Sequence, residues 1–259
     1  MPARRVIIAM PKGGSGKTAT AVAFAWGLQR LARRVLVVDL DPQGNATGAL
    51  RAEAAPDAYG VLDFLLRPER PFAPTAVAAG LDVVPACPWA VGVDLEVQRA
   101  NQLTGPVAVR EALDRVADQY DYILCDCAPS FGPVTYNALA AGPVLAPVET
   151  TRLAVSVLPE LARVITTLRR GVAPKADVFA YLPTRHVEEQ TESREALAAL
   201  VALVGDRVMR TRIPLATAIA RSLAEGTPMF DPRYRPSKGP AAYLAALDEA
   251  LPLLEANHG

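Results

Sequence analysis

Residues Val6-Ile7-Ile8-Ala9-Met10-Pro11-Lys12-Gly13-Gly14-Ser15-Gly16-Lys17-Thr18 run from an apolar, β-branched strand through a glycine-rich turn into a segment with helical spacing. A phosphate chain needs backbone N–H groups pointing inward with no Cβ atoms in the way, and Gly13, Gly14 and Gly16 permit that approach. A helix opening near Lys17 adds the positive end of its dipole. In such a loop Lys17 reaches the β- and γ-phosphates and the Thr18 hydroxyl ligates Mg²⁺, with Ser15 and Ala19 completing the backbone around the phosphates. The usual phosphate-loop pattern carries a glycine five residues before Gly16; here Pro11 stands there, followed by Lys12.

The remaining pattern agrees with an α/β fold. Apolar runs at Val6–Met10, Val35–Val38, Leu81–Val84, Tyr122–Cys125, Val144–Val148 and Val178–Leu182 read as buried strands. Between them Thr18–Leu31, Pro106–Tyr120, Val155–Arg170, Glu192–Val204 and Gly239–Ala256 read as helices. This alternation predicts a mostly parallel, twisted sheet with helices on both faces and ligands at the carboxyl ends of its strands. The segments Ala52–Pro74 and Thr227–Pro240 read as surface excursions, so residues 1–259 are expected to form a single domain.

Composition narrows the class. With 51% hydrophobic residues and 27 basic against 27 acidic side chains, disordered, collagen-like and supercharged chains are excluded. No apolar stretch reaches membrane-span length, and Met1–Met10 lacks a secretion-signal core, so a cytoplasmic location is expected. Cys87, Cys125 and Cys127 cannot make a complete disulfide framework; Cys125 and Cys127 read as buried thiols. His186 and His258 match no metal-ligand spacing, and His186 reads as a surface residue.

Two acidic segments complete the chemistry. Strand Val35–Val38 ends in Asp39-Leu40-Asp41-Pro42-Gln43-Gly44-Asn45-Ala46-Thr47, and alternation puts Asp39 and Asp41 on one side of an extended chain at the sheet's carboxyl edge. Acids there suit Mg²⁺-bound water and an attacking water. Tyr120-Asp121-Tyr122-Ile123-Leu124-Cys125-Asp126-Cys127-Ala128-Pro129-Ser130 is an apolar strand ending in an acid, and Asp126 fits a carboxylate holding Mg²⁺ through water.

Lys12-Gly13-Gly14-Ser15-Gly16-Lys17-Thr18 resembles the deviant Walker A motif of the ParA/MinD family of ATPases. The resemblance is closest to the ParA/Soj-type partition ATPases, and it implies ATP and Mg²⁺ as ligands. It also implies that Lys12 reaches the nucleotide of a second subunit, where an added cation offsets charge developing on the γ-phosphate as an arginine finger does. By the same resemblance Lys12, Lys17 and Asp41 are the catalytic residues, Asp41 positioning the hydrolytic water. Thr18, Asp39 and Asp126 serve the metal. The order continues through Asn137, Glu149, Ile213-Pro214, Gly226-Thr227-Pro228 and Pro236-Ser237-Lys238-Gly239, with Ala128 replacing a proline. Adenine is expected against Pro183-Thr184 and Ile213-Pro214, by analogy.

Relatives of this kind differ in what their dimers bind. The resemblance implies an ATP-dependent homodimer, nonspecific DNA, a ParB-like activator and a nucleoid location. The DNA-contact candidates are Arg169, Arg170, Lys175, Arg210, Arg212, Arg221, Arg233, Arg235 and Lys238. The family's arginines just after the Ile-Pro or Ile-Arg step fall here on Leu215 and Ala218, with Arg221 as a substitute. Acidic Asp248, Glu249 and Glu255 near the C-terminus argue against a MinD-like membrane helix. No preceding segment offers a helix-turn-helix, so operator binding is not expected. Other cargo-positioning roles and an iron–sulfur redox ATPase are the alternatives.

Overall fold

The computed structural model describes residues 2–52, 58–86, 93–234 and 236–256; Cys87, Arg235 and His258 lie outside the described residues. In chain order the strands are β1 (Arg4–Ile8), β2 (Val35–Asp39), β3 (Thr75–Ala78), β4 (Leu81–Val84), β5 (Tyr122–Asp126), β6 (Val144–Glu149) and β7 (Val178–Thr184). The helices are α1 (Lys17–Arg30), α2 (Asn45–Ala49), α3 (Val61–Leu66), α4 (Val93–Thr104), α5 (Ala108–Asp114) and α6 (Pro133–Leu139). They continue with α7 (Arg152–Ser156), α8 (Leu158–Arg170), α9 (Thr191–Val204), α10 (Thr217–Glu225) and α11 (Lys238–Ala256).

All seven strands form one sheet in the order β3-β4-β2-β5-β1-β6-β7. Every pairing is parallel except β3 with β4, an antiparallel edge hairpin that the apolar-run reading did not anticipate. Its strand Thr75–Ala78 is short and only half buried, so it carries no continuous apolar signal. The five strands β2, β4, β5, β6 and β7 are buried almost throughout, as a sheet covered on both faces requires.

Side-chain alternation feeds two separate cores. Val6, Ile8, Val35, Val37, Tyr122, Leu124 and Leu145 join α1 and α11, whose Phe24, Leu28, Tyr243, Leu247 and Leu254 are buried there. Ile7, Leu36, Val38, Ile123, Cys125, Val144 and Ala146 face the opposite layer, built from α3, α5, α6 and α8. The apolar stripe of α11 is thus spent on the sheet, and no described helix is long and apolar enough to cross a membrane.

Several boundaries differ from expectation for local reasons. The helix expected over Val155–Arg170 divides at Val157, because Pro159 suits the first turn of α8 and not a helix interior. Within α8, Leu158, Leu161, Ile165 and Leu168 keep the core-facing spacing. The helix expected over Pro106–Tyr120 is shorter, ending at Asp114 before turns. Ala52–Pro74, expected as a surface excursion, contains α3, whose Phe64 and Leu65 enter the core; Phe64 is 1% exposed.

Candidate functional site

The parallel strands end side by side, and the order β2-β5-β1-β6-β7 sets their carboxyl ends in a row. Asp39 closes β2, Asp126 closes β5, the glycine loop leaves β1, Glu149 closes β6 and Thr184 closes β7. Register fixes this alignment: Asp39 and Ile8 are each paired with Asp126, and Glu149 with Thr184. β1 pairs with β6 only through Ile7 and Ile8, so the loop departs where the strands part. That crevice is where an α/β sheet binds ligands.

Gly14 and Gly16 both hold positive φ, +75° and +89°, which an L side chain rarely adopts. The loop is propped from β7, where the Thr184 hydroxyl donates to the Ser15 carbonyl at 2.7 Å and a Cβ on Gly16 would lie 3.4 Å from Thr184 Cγ2. Gly16 caps α1 with no side-chain hydrogen bond, and α1 carries no acid in its first turn. Its leading N–H groups therefore face the loop's interior with the helix dipole behind them. The loop opens into a cleft of about 570 Å³ lined by Gly13 to Ala19, Asp41, Gln43, Asn45, Ala49, Pro129 and the α10 residues Ala220, Leu223 and Ala224.

Lys17 is 6% exposed and donates to the Lys12 carbonyl at 2.9 Å, folding its amine across the loop. Burial lowers its pKa, with Asp126, the Cys127 thiol and Asp41 acting against that. Lys12 behaves differently: its amine points away from the cleft lining, to Glu149 Oε2 at 2.6 Å and Thr151 Oγ1 at 3.1 Å.

The three acids have distinct surroundings. Asp126 is fully buried and its Oδ2 accepts from the Thr18 hydroxyl at 2.7 Å, while Oδ1 is buried with no hydrogen-bond partner among the described residues. Burial, and then the nearby Asp39, push its pKa well above the carboxylate range. Asp41 lines the cleft and accepts the Gln43 N–H at 3.0 Å. Asp39 is turned into the protein: Oδ2 takes the Thr47 N–H at 2.8 Å and its hydroxyl at 2.7 Å, and Oδ1 takes the Asp41 N–H at 3.2 Å. Burial raises its pKa to about 6, against those hydrogen bonds. Asp39, expected as a metal carboxylate, fixes the 41–47 turn through these bonds. Thr18 and Asp126 fit Mg²⁺, because an unpartnered buried carboxylate oxygen beside a hydroxyl oxygen is a hard-donor pair.

Ile213 N–H donates to the Pro183 carbonyl at 2.9 Å, so Pro183, Thr184, Ile213 and Pro214 do come together. They lie beside the loop rather than lining its cleft, Ile213 being 2% exposed. The apolar wall over the loop is the face of α10, which sequence reasoning missed, though Ala220, Leu223 and Ala224 at helical spacing were a readable signal. Gln43 and Asn45 were also missed, as neither residue type marks a turn for ligand contact. His186 is not on the surface: it is 7% exposed, bonded to Ser193 Oγ at 3.1 Å and Glu188 Oε2 at 2.9 Å. Asn137 holds a buried junction, accepting the Ala108 N–H at 3.0 Å. Cys125 and Cys127 are buried free thiols, and burial raises the pKa of Cys125 to about 12.

The DNA-contact candidates fall on two opposite edges. Arg169, Arg170 and Lys175 sit where α8 returns to the amino end of β7, and Arg169 is bound to Asp177. Arg212, Arg221, Arg233 and Lys238 lie toward the carboxyl edge, around α10. At ~3.3 Å per residue the length of β7 separates the two groups by about 20 Å. On the carboxyl edge Arg212 pairs with Glu188, Arg221 with Glu225, and Arg233 with Asp231 and Glu225. The Arg210 N–H donates to Glu249 Oε1 at 2.6 Å.

Residues 3–178 match a protein-family model described as an AAA domain. Over 229 residues the chain is 35% identical to the chromosome-partitioning ATPase Soj of Thermus thermophilus, the match covering 86% of each chain. Its fold superposes on the ATP complex of a singly substituted Cyanothece McdA with a TM-score of 0.83, at 22% identity and covering 96% of each chain. A Mycobacterium smegmatis protein described as cobyrinic acid a,c-diamide synthase, solved with an ATP analogue and magnesium, gives a TM-score of 0.77 at 28% identity, covering 96% of this chain and 94% of that one. With the glycine loop, the lysine beside it and the row of strand-end acids in place, the chain belongs to the ParA/MinD family of P-loop ATPases, in the company of the Soj and ParA partition ATPases.

Proposed function

We propose that this ATPase binds ATP with Mg²⁺ in the loop cleft, closes as a sandwich dimer of two chains, and in that state binds DNA without regard to sequence. A ParB-like partner carried on the cargo would stimulate hydrolysis and reset the dimer, segregating a chromosome or plasmid over the nucleoid. One observation carries the reading: Lys12 turns its amine out of its own cleft, toward Glu149 and Thr151. A loop lysine bonded outside its own cleft would reach a neighbouring subunit's phosphates on leaving Glu149, and there it would offset charge growing on the γ-phosphate.

The remaining residues divide the work. The backbone of Gly13 to Ala19 and the amine of Lys17 would hold the phosphates, and α10 would cover the nucleotide. Thr18 and Asp126 would hold Mg²⁺, which when bound draws charge from the β–γ bridge. Asp41 would orient the attacking water, and Asp39 would keep the turn bearing Asp41 in place. With the Asp41 carboxylate as the base facing the cleft among the described residues, unstimulated turnover would be slow.

DNA contact is assigned to the carboxyl edge, where Arg221 and Arg233 share Glu225 and the start of α11 packs on the start of α10; a Cβ on Gly239 would meet Ile219 at 2.8 Å. Two copies of this edge would double a modest set of phosphate contacts. A mobility-shift assay on random-sequence duplex with ATP, ADP or no nucleotide tests the reading. Retardation with ATP alone, weakening steeply with salt, is the expected result. Equal retardation in all three conditions, or none at all, overturns it.

A further inference from the structure

One carboxylate serves two cations beside the loop. Glu149 accepts Lys12 Nζ on Oε2 at 2.6 Å and Arg185 Nε on Oε1 at 3.1 Å. Thr151 Oγ1 takes a further bond from Lys12 at 3.1 Å. The Lys12 and Glu149 side chains are only 18% and 19% exposed, so this pair is shielded from water more than an ordinary surface pair. Arg185 is half exposed and sits at φ +51°, a left-handed conformation uncommon for arginine. Register explains its reach: Glu149 is paired with Thr184, the residue just before Arg185.

We propose that Glu149 is a latch that keeps Lys12 within its own chain, and that Arg185, by sharing the carboxylate, sets how readily the latch opens. The inference rests on the sandwich-dimer reading, since Lys12 must leave Glu149 to reach a second subunit's phosphates. A shielded carboxylate stripped of its only cation would oppose that departure. Arg185 stays on Oε1 as Lys12 leaves Oε2, so Glu149 is never unpaired. Glu149 and Arg185 are positioning residues: neither lines the cleft.

The two residues make opposite predictions. Glu149→Gln keeps the side-chain shape and removes the charge that holds Lys12, so less ATP should suffice for dimerisation. Arg185→Asn, with a residue that tolerates positive φ, leaves Glu149 wholly to Lys12, so more ATP should be needed. Light scattering across an ATP titration reads the half-point, with displacements of about threefold or more in opposite directions expected. Binding of a fluorescent ATP analogue to dilute, monomeric protein should stay unchanged in both variants, and Arg185→Lys should restore the native half-point. Displacements in the same direction, or none, overturn the latch while leaving the sandwich dimer standing. A native chain that stays monomeric at saturating ATP overturns both.

Discussion

The hydroxyl of Thr18, in the first turn of α1, donates to Asp126 Oδ2 at the end of β5 across 2.7 Å, tying the glycine loop to the middle of the sheet. The other oxygen of that carboxylate is buried without a hydrogen-bond partner among the described residues. Function and stability therefore pull on Asp126 in opposite directions. Asp126→Asn removes a carboxylate whose ionised form burial and the nearby Asp39 disfavour, so at neutral pH the chain without nucleotide should be no less stable than native. The same variant should lose the added thermal protection that Mg²⁺-ATP gives over ATP alone. Thermal melts under the three conditions check both halves.

Lys12→Ala separates binding from assembly. The amine lies outside the cleft lining, so the single chain should still bind ATP with affinity within a few-fold of native, while the ATP-dependent dimer disappears from light scattering. An unchanged dimer would remove the trans role of this lysine.

Gly16→Ala should be far more damaging to binding than its size implies. Its backbone is at φ +89°, where a side chain costs about 1–2 kcal/mol, while the new methyl would stand in ordinary contact with Thr184 at 3.4 Å. Relief of the backbone strain requires the loop to turn at Gly16, moving its amides away from the phosphates. Calorimetric titration should show ATP binding lost, with only a small fall in melting temperature.

Asp63 predicts the acid limb of the stability curve. Burial pushes its carboxyl up, but hydrogen bonds from Arg70, the Gly60 N–H and Arg67 outweigh that and hold it below the usual range. A folded-state pKa below the unfolded one means stability present above the unfolded value and lost as pH falls through the folded one. Asp63→Asn should be less stable than native at neutral pH, and below about pH 4 the two curves should converge. Denaturant melts between neutrality and the acid transition read the difference.

Phe64→Ala tests whether the 58–72 region belongs to the core. Phe64 is buried and stacked near Phe72, with ring centroids 5.9 Å apart. Its removal should cost about 3–5 kcal/mol, a value no surface excursion would give.

What the sequence disclosed was what is local. The run from Val6 to Thr18 carries its own strand, glycines and helix start, so loop and dipole could be read without knowing any neighbour. Asp126 followed from an apolar strand ending in an acid. Contacts distant along the chain left no such trace: Lys12 and Glu149 are 137 residues apart, and Thr184 reaches Ser15 across 169. Asp39 illustrates the limit, since alternation correctly put it at the sheet edge but could not show that Thr47 claims its carboxylate. His186 misled because a polar residue beside an arginine reads as solvated, whereas Ser193 and Glu188 satisfy its ring inside the protein. Short helices such as α3 and α6 span too few turns to display a period.

The prop beneath the glycine loop has a consequence for dissecting the molecule. The family match stops at residue 178, yet Thr184 and the α10 roof lie beyond it. A fragment cut at that boundary would retain every signature residue of the motif, from Lys12 through Asp126, and still present a floor without its buttress and a pocket without its ceiling. Possessing the fingerprint and possessing a working nucleotide seat are, in this architecture, separable by the last third of the polypeptide.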